Sequence, residues 1–206
     1  MKKHIAKLLL PVILAIAVLI GVLGSISSGK ESELSEKLIR LHIVANSDSE
    51  KDQAIKLAVK DEILSLVSGL TCSASDSDEA ETALRNNLPR IIEAANSVLA
   101  ENGSSYGAKA ALAAYEFPTK SYGLFSLPAG SYKALRVELG QGGGRNWWCV
   151  LFPPLCNAAS DEEFIKAAND AGLSGDEVCF MTKNGGKSII RFRLAELFAY
   201  VKSLFS

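Results

Sequence analysis

Two adjacent tryptophans do most to limit how this chain can fold. The run Asn146-Trp147-Trp148-Cys149-Val150-Leu151-Phe152-Pro153-Pro154-Leu155-Cys156 holds both tryptophans, two of the four cysteines and two of the six prolines. Side chains next to each other in a strand point to opposite faces. Trp147 and Trp148 therefore need cover from two directions, which a single sheet layer with one wet face does not supply. Either the strand is buried on both sides by its own domain, or one ring belongs to a recognition surface, where tryptophan is strongly enriched. The preceding stretch Gly140-Gln141-Gly142-Gly143-Gly144 reads as a hairpin turn. A phosphate loop needs a helix after it, and here a tryptophan-rich strand follows.

The N-terminus has the form of an export signal. Lys2, Lys3 and Lys7 precede an apolar stretch from Leu8 to Leu23, interrupted only by Pro11 and Gly21, and small residues follow from Gly24 to Gly29. Cleavage near Gly24 to Ser27 and retention as a signal anchor both fit, and the flanking charges place the remainder outside. Residues 1–29 are thus an export or anchor segment. Residues 30–206 form one extracytoplasmic domain of about 180 residues, large enough for a real core. A net charge of −1 gives no field that would favour nucleic acid.

Periodicity sets the layout of the domain. Ile39, Leu41, Ile43 and Ala45 alternate with Arg40, His42, Val44 and Asn46, which is the pattern of a strand with a partly polar face. Ser49 with Asp52 starts a helix carrying Ile55, Val59, Ile63 and Leu66, and the acidic run around Asp78 starts another. Pro89 kinks or splits the second. Strands follow over 109–117, 132–139 and 146–152, the last two joined as an antiparallel hairpin. Ser160 with Glu163 caps a short helix. Residues 178–181 and 188–193 read as short strands, and 194–205 as an amphipathic helix with Leu197, Phe198, Val201 and Leu204 on one side. The order predicts an α+β fold, helices packed on a largely antiparallel sheet.

Chemistry-bearing residues are sparse. His42 with Asn46, Asp48 and Asp52 is the one histidine–carboxylate grouping near a strand end. It reads either as a hydrolytic or wall-binding site or as a polar sheet face with a turn and a helix cap. Lys133, Arg136 and Arg145 form a solvated face or meet an acidic partner. Four cysteines allow three pairings. Pro153-Pro154 turns the chain between Cys149 and Cys156, which favours that pair and leaves Cys72 with Cys179. The spacings fit no zinc site, and no metal or cofactor is expected.

Four blocks in order resemble the stage II sporulation protein R family of endospore-forming bacteria. They are Ile39-Arg40-Leu41-His42-Ile43-Val44-Ala45-Asn46-Ser47-Asp48-Ser49 with Asp52-Gln53; Phe117-Pro118-Thr119 with Tyr122-Gly123; Leu127-Pro128-Ala129-Gly130 with Tyr132 and Ala134-Leu135-Arg136; and Asn146 to Cys156. The resemblance covers about 38–156 and leaves 157–206 as a less diagnostic tail. It implies a signalling protein without catalytic residues. Such a protein is exported from the forespore into the space facing the mother cell. There it triggers a membrane-embedded aspartic protease, stage II sporulation protein GA, which then cleaves the precursor of the early mother-cell sigma factor. On this reading Trp147, Trp148, Phe152, Pro153 and Pro154 form or brace the partner-contacting surface. His42, Asn46 and Asp48 lie at one edge of the same sheet.

Overall fold

A computed structural model of the chain describes residues 33–155, 158 and 160–182. The expected export segment, the strand over 188–193 and the helix over 194–205 lie outside the described residues. After a helical turn over 33–37, the elements are β1 (Ile39–Val44), α1 (Glu50–Thr71), α2 (Ser77–Asn86), α3 (Leu88–Glu101), β2 (Ala108–Phe117), β3 (Lys120–Ser121), β4 (Ser126–Leu127), β5 (Gly130–Leu139), β6 (Asn146–Phe152), α4 (Asp161–Asp170) and α5 (Gly175–Thr182). The α+β reading holds.

The main sheet runs β2-β5-β1-β6. β1 pairs parallel with β5 and antiparallel with β6, and β2 pairs antiparallel with β5. This corrects the expected β5–β6 hairpin, because β1 lies between the two strands. All six residues of β1 are buried, a condition met by a central strand covered on both faces. Residues 140–145 must therefore pass over the end of β1. They are tied there by Gly143 N–H to Asn46 O (3.2 Å) and Gly144 N–H to Ala45 O (2.9 Å).

Alternation along the strands divides the core in two. Ile39, Leu41, Ile43, Leu135, Val137 and Cys149 face α1, α2 and α3 and pack on Ile55, Val59, Ile63, Leu84, Ile91 and Leu99. Pro89 sits in the first turn of α3, where its missing N–H costs nothing, and the helical stretch splits there. On the opposite face Tyr132, Ala134 and Val150 pack on Leu34, Leu38, the β3–β4 hairpin, α4 and α5.

Residues 178–181 belong to helix α5, not to a strand. Ser174 and Glu177 form a capping box: Glu177 N–H donates to Ser174 Oγ (3.3 Å) and Ser174 N–H to Glu177 Oε2 (2.7 Å). These bonds hold an apolar segment helical despite its strand-like composition. The Cys72–Cys179 pair does not form, and both thiols are free. Cys72 ends α1 and Cys179 lies in α5, and these helices pack on opposite faces of the sheet. Cys156, the expected partner of Cys149, lies outside the described residues.

Candidate interaction site

The face away from α1–α3 carries the polar half of β1, and its register places the rows. Across the sheet run Ala111, Arg136, His42 and Trp148, followed by Lys109, Glu138, Val44 and Asn146. His42 and Trp148 are direct cross-strand partners, and their rings stack 3.8 Å apart at 11°. Phe117 closes on Trp148 edge-on at 4.8 Å. His42 Nε2–H donates to Asn146 Oδ1 (2.9 Å). Burial, more than the nearby Arg136 and Arg40, lowers the His42 pKa below 6.5 against the opposing effect of the Asn146 bond. The ring is therefore neutral at pH 7. Trp148 is half-buried, with Lys120 Nζ 5.6 Å from its ring centroid. Arg136 lies over Tyr115 at 5.5 Å and pairs with Glu138.

Under this face lies a fully buried arginine. The Arg40 guanidinium packs 3.9 Å from the Phe117 centroid and 4.8 Å from that of Tyr132, and Nη2 donates to the Tyr122 hydroxyl (2.5 Å). Its Nε and Nη1 are buried without a partner among the described residues. Burial lowers its pKa, while cation–π contact with the rings offsets part of the desolvation.

Trp147 points the other way. It packs against the helix-side core, pairs across the sheet with Ile43 and has Lys60 Nζ 5.0 Å from its ring centroid. The two rings thus brace opposite faces of β6. Phe152 is core and Pro153 is buried, while Pro154 is exposed.

Asn46 and Asp48 lie beyond the end of β1, in a polar staple that holds the β5–β6 connection. Asn46 Oδ1 accepts from Gln141 N–H (3.0 Å), and Asp48 Oδ1 accepts from Arg145 N–H (2.7 Å). Behind them Asp52 accepts from Ser47 Oγ (2.5 Å), the Tyr106 hydroxyl (2.5 Å) and Asn46 Nδ2 (2.9 Å). These bonds, Ser47's the largest, hold the Asp52 pKa at about 2. Lys56 Nζ donates to Arg145 O (3.2 Å) and Gln53 Oε1 (2.7 Å). Two glycines permit the close packing. A Cβ on Gly144 would lie 2.2 Å from Ser47 O, and one on Gly140 would lie 2.2 Å from Asn46 Oδ1.

The structure therefore brings His42 and Trp148 together on one face, with Asn146 beside them. Asn46, Asp48 and Asp52 are joined in the staple, and the hydrogen bond of His42 goes to Asn146 and to neither aspartate. Sequence reasoning passed over Arg40, Phe117 and Lys120. Arg40 was legible as the neighbour of His42 on the polar side of the alternation. The roles of Phe117 and Lys120 depend on the hairpin folding back.

A family model described as "Stage II sporulation protein R" matches residues 35–162. The chain belongs to the stage II sporulation protein R family. It is 37% identical over 142 residues to a Bacillus subtilis (strain 168) protein named "Stage II sporulation protein R". That match covers 68% of this chain and 63% of the relative, so the chain spans less than two thirds of the relative's length. No solved structure matches. The family region includes both the aromatic face and the staple, and among the described residues no helix is long and apolar enough to cross a membrane.

Proposed function

We propose that this chain is an exported sporulation signal that activates a mother-cell membrane aspartic protease, stage II sporulation protein GA, and so leads to processing of the early mother-cell sigma factor precursor. Family membership across residues 35–162 carries the reading. The half-buried Trp148, stacked on a neutral His42 beside exposed Asn146, supports it physically. A rigid aromatic at the rim of a sheet face is a group that a protein partner can cover. In this reading the chain acts as a ligand with no turnover of its own. It reaches the space between the two membranes through residues 1–29, either released or anchored. A Cys149–Cys156 bridge, permissible outside the cytoplasm, belongs to the same reading.

The test is a reconstitution in a non-sporulating host. The full chain is co-expressed with the protease and the sigma-factor precursor, and precursor cleavage is followed. Cleavage is expected to depend on the chain and to fall with a folded Trp148→Ala protein. Cleavage independent of the chain refutes the reading.

A further inference from the structure

We infer that the open part of the sheet face, bounded by Lys109, Arg136, Trp148 and Lys120, binds an acidic segment of the protein partner. This inference rests on the signalling reading and assigns the surface and the partner's charge. Among the described residues three cations that reach the surface, Lys109, Lys120 and Arg136, stand on this face with one carboxylate, Glu138, which pairs with Arg136, in a chain whose net charge is −1. Elsewhere, three lysines already have carboxylate partners. Lys37 lies 3.0 Å from Glu177, Lys60 2.6 Å from Asp61 and Lys133 2.7 Å from Asp78. Lys133 is thus occupied on the helix side. Lys120 and Arg136 sit over the rings of Trp148 and Tyr115.

A cation on a ring keeps its N–H donors directed outward, which suits it to accept a carboxylate. On the β2 side of Arg136 the floor is Ala111 and Ala113, both exposed, and such short side chains let an extended chain lie close to the sheet. The buried His42 lies between Arg136 and Trp148. Tyr115 on β2 and Trp148 on β6, each half-buried, supply apolar contact. The occupant that fits is an extended peptide segment with carboxylates to reach Lys120, Arg136 and Lys109 and apolar side chains between them.

The experiment has two arms on the full chain. In the co-expression assay Lys120→Glu and Lys109→Glu are each compared with Lys51→Glu, the same charge change on α1 across the sheet. Protease resistance of each variant reports its fold. Cleavage is expected to fall at least tenfold for the Lys120→Glu and Lys109→Glu variants and to stay at wild-type level for Lys51→Glu. In the second arm, tryptophan fluorescence of the detergent-solubilised chain is titrated with poly-L-glutamate, poly-L-lysine and solubilised glycan strands. Poly-L-glutamate alone should change the emission, and Trp148→Phe should abolish the response. Equal cleavage by these two variants and the control, or a response to glycan in place of poly-L-glutamate, overturns the inference. If the wild-type chain triggers no cleavage, the signalling reading fails and the fluorescence arm still decides the binding face.

Discussion

Removing the carboxylate of Asp52 tests how much the polar staple holds. Its folded pKa is about 2 against an ordinary value of 3.8. The difference corresponds to about 2 kcal/mol of stability. Because the folded value is the lower one, this stability is fully present above pH 3.8 and is lost as pH falls through 3.8 towards about 2. Asp52→Asn keeps the shape but turns an amide N–H2 towards the donors of Asn46, Ser47 or Tyr106. At neutral pH it should therefore cost about 2–3 kcal/mol, adding an unmatched donor pair to the lost charge. The assay is urea unfolding of residues 30–206 followed by tryptophan fluorescence, wild type against Asp52→Asn, at several pH values. The gap between the two should be widest near neutrality and narrow below pH 3.8. A gap that stays constant across this range, or one absent at neutral pH, refutes the claim that the three side-chain donors stabilise the ionised form.

Gly144→Ala places a methyl group 2.2 Å from the Ser47 carbonyl oxygen. The backbone there must move, so the urea midpoint should drop by the equivalent of about 1–3 kcal/mol with an unchanged slope. Arg40→Met removes a buried charge that has no carboxylate partner among the described residues, so thermal stability should stay level or rise. Tyr122→Phe, which deletes the one hydrogen bond of that guanidinium among the described residues, should lower it by about 1–3 kcal/mol. The lowered pKa of His42 gives stability that is present above pH 6.5 and lost as pH falls below it. His42→Gln should flatten that part of the pH–stability curve measured by chemical unfolding.

Much of the fold was legible where local signals agreed with tertiary needs. Ser49, Asp76 and Ser160 each cap the helix that follows through a side-chain oxygen, and Pro89 marks the break between α2 and α3. The strand order was not legible in the same way. A glycine-rich link between two alternating segments is the ordinary hairpin signal. What displaces it is the burial of β1 on both faces, a condition of the whole sheet that no local window contains. α5 shows the reverse case, in which Ser174 and Glu177 carried a readable cap that the apolar composition of Val178 to Met181 obscured. At the site, the alternation of β1 put His42 on the polar face correctly. Register then decided that its neighbour is Trp148 and that Asn46 and Asp48 serve the connection beyond the strand. A linear grouping of His42 with those residues conflated two places that lie in different parts of the fold.

The central position of β1 sets an order on assembly. The strand made early in the chain is hydrogen-bonded on one side to residues 133–138 and on the other to residues 146–152, so both partners are synthesised roughly ninety or more residues later. Such distant pairing makes closure slow relative to helix formation. A nascent or translocating chain can form α1, α2 and α3 while β1 still lacks either neighbour. A fragment ending before β6 has β1 as an unprotected edge strand with an apolar face. The face bearing His42 and Trp148 is assembled only when the last strand of the sheet has arrived.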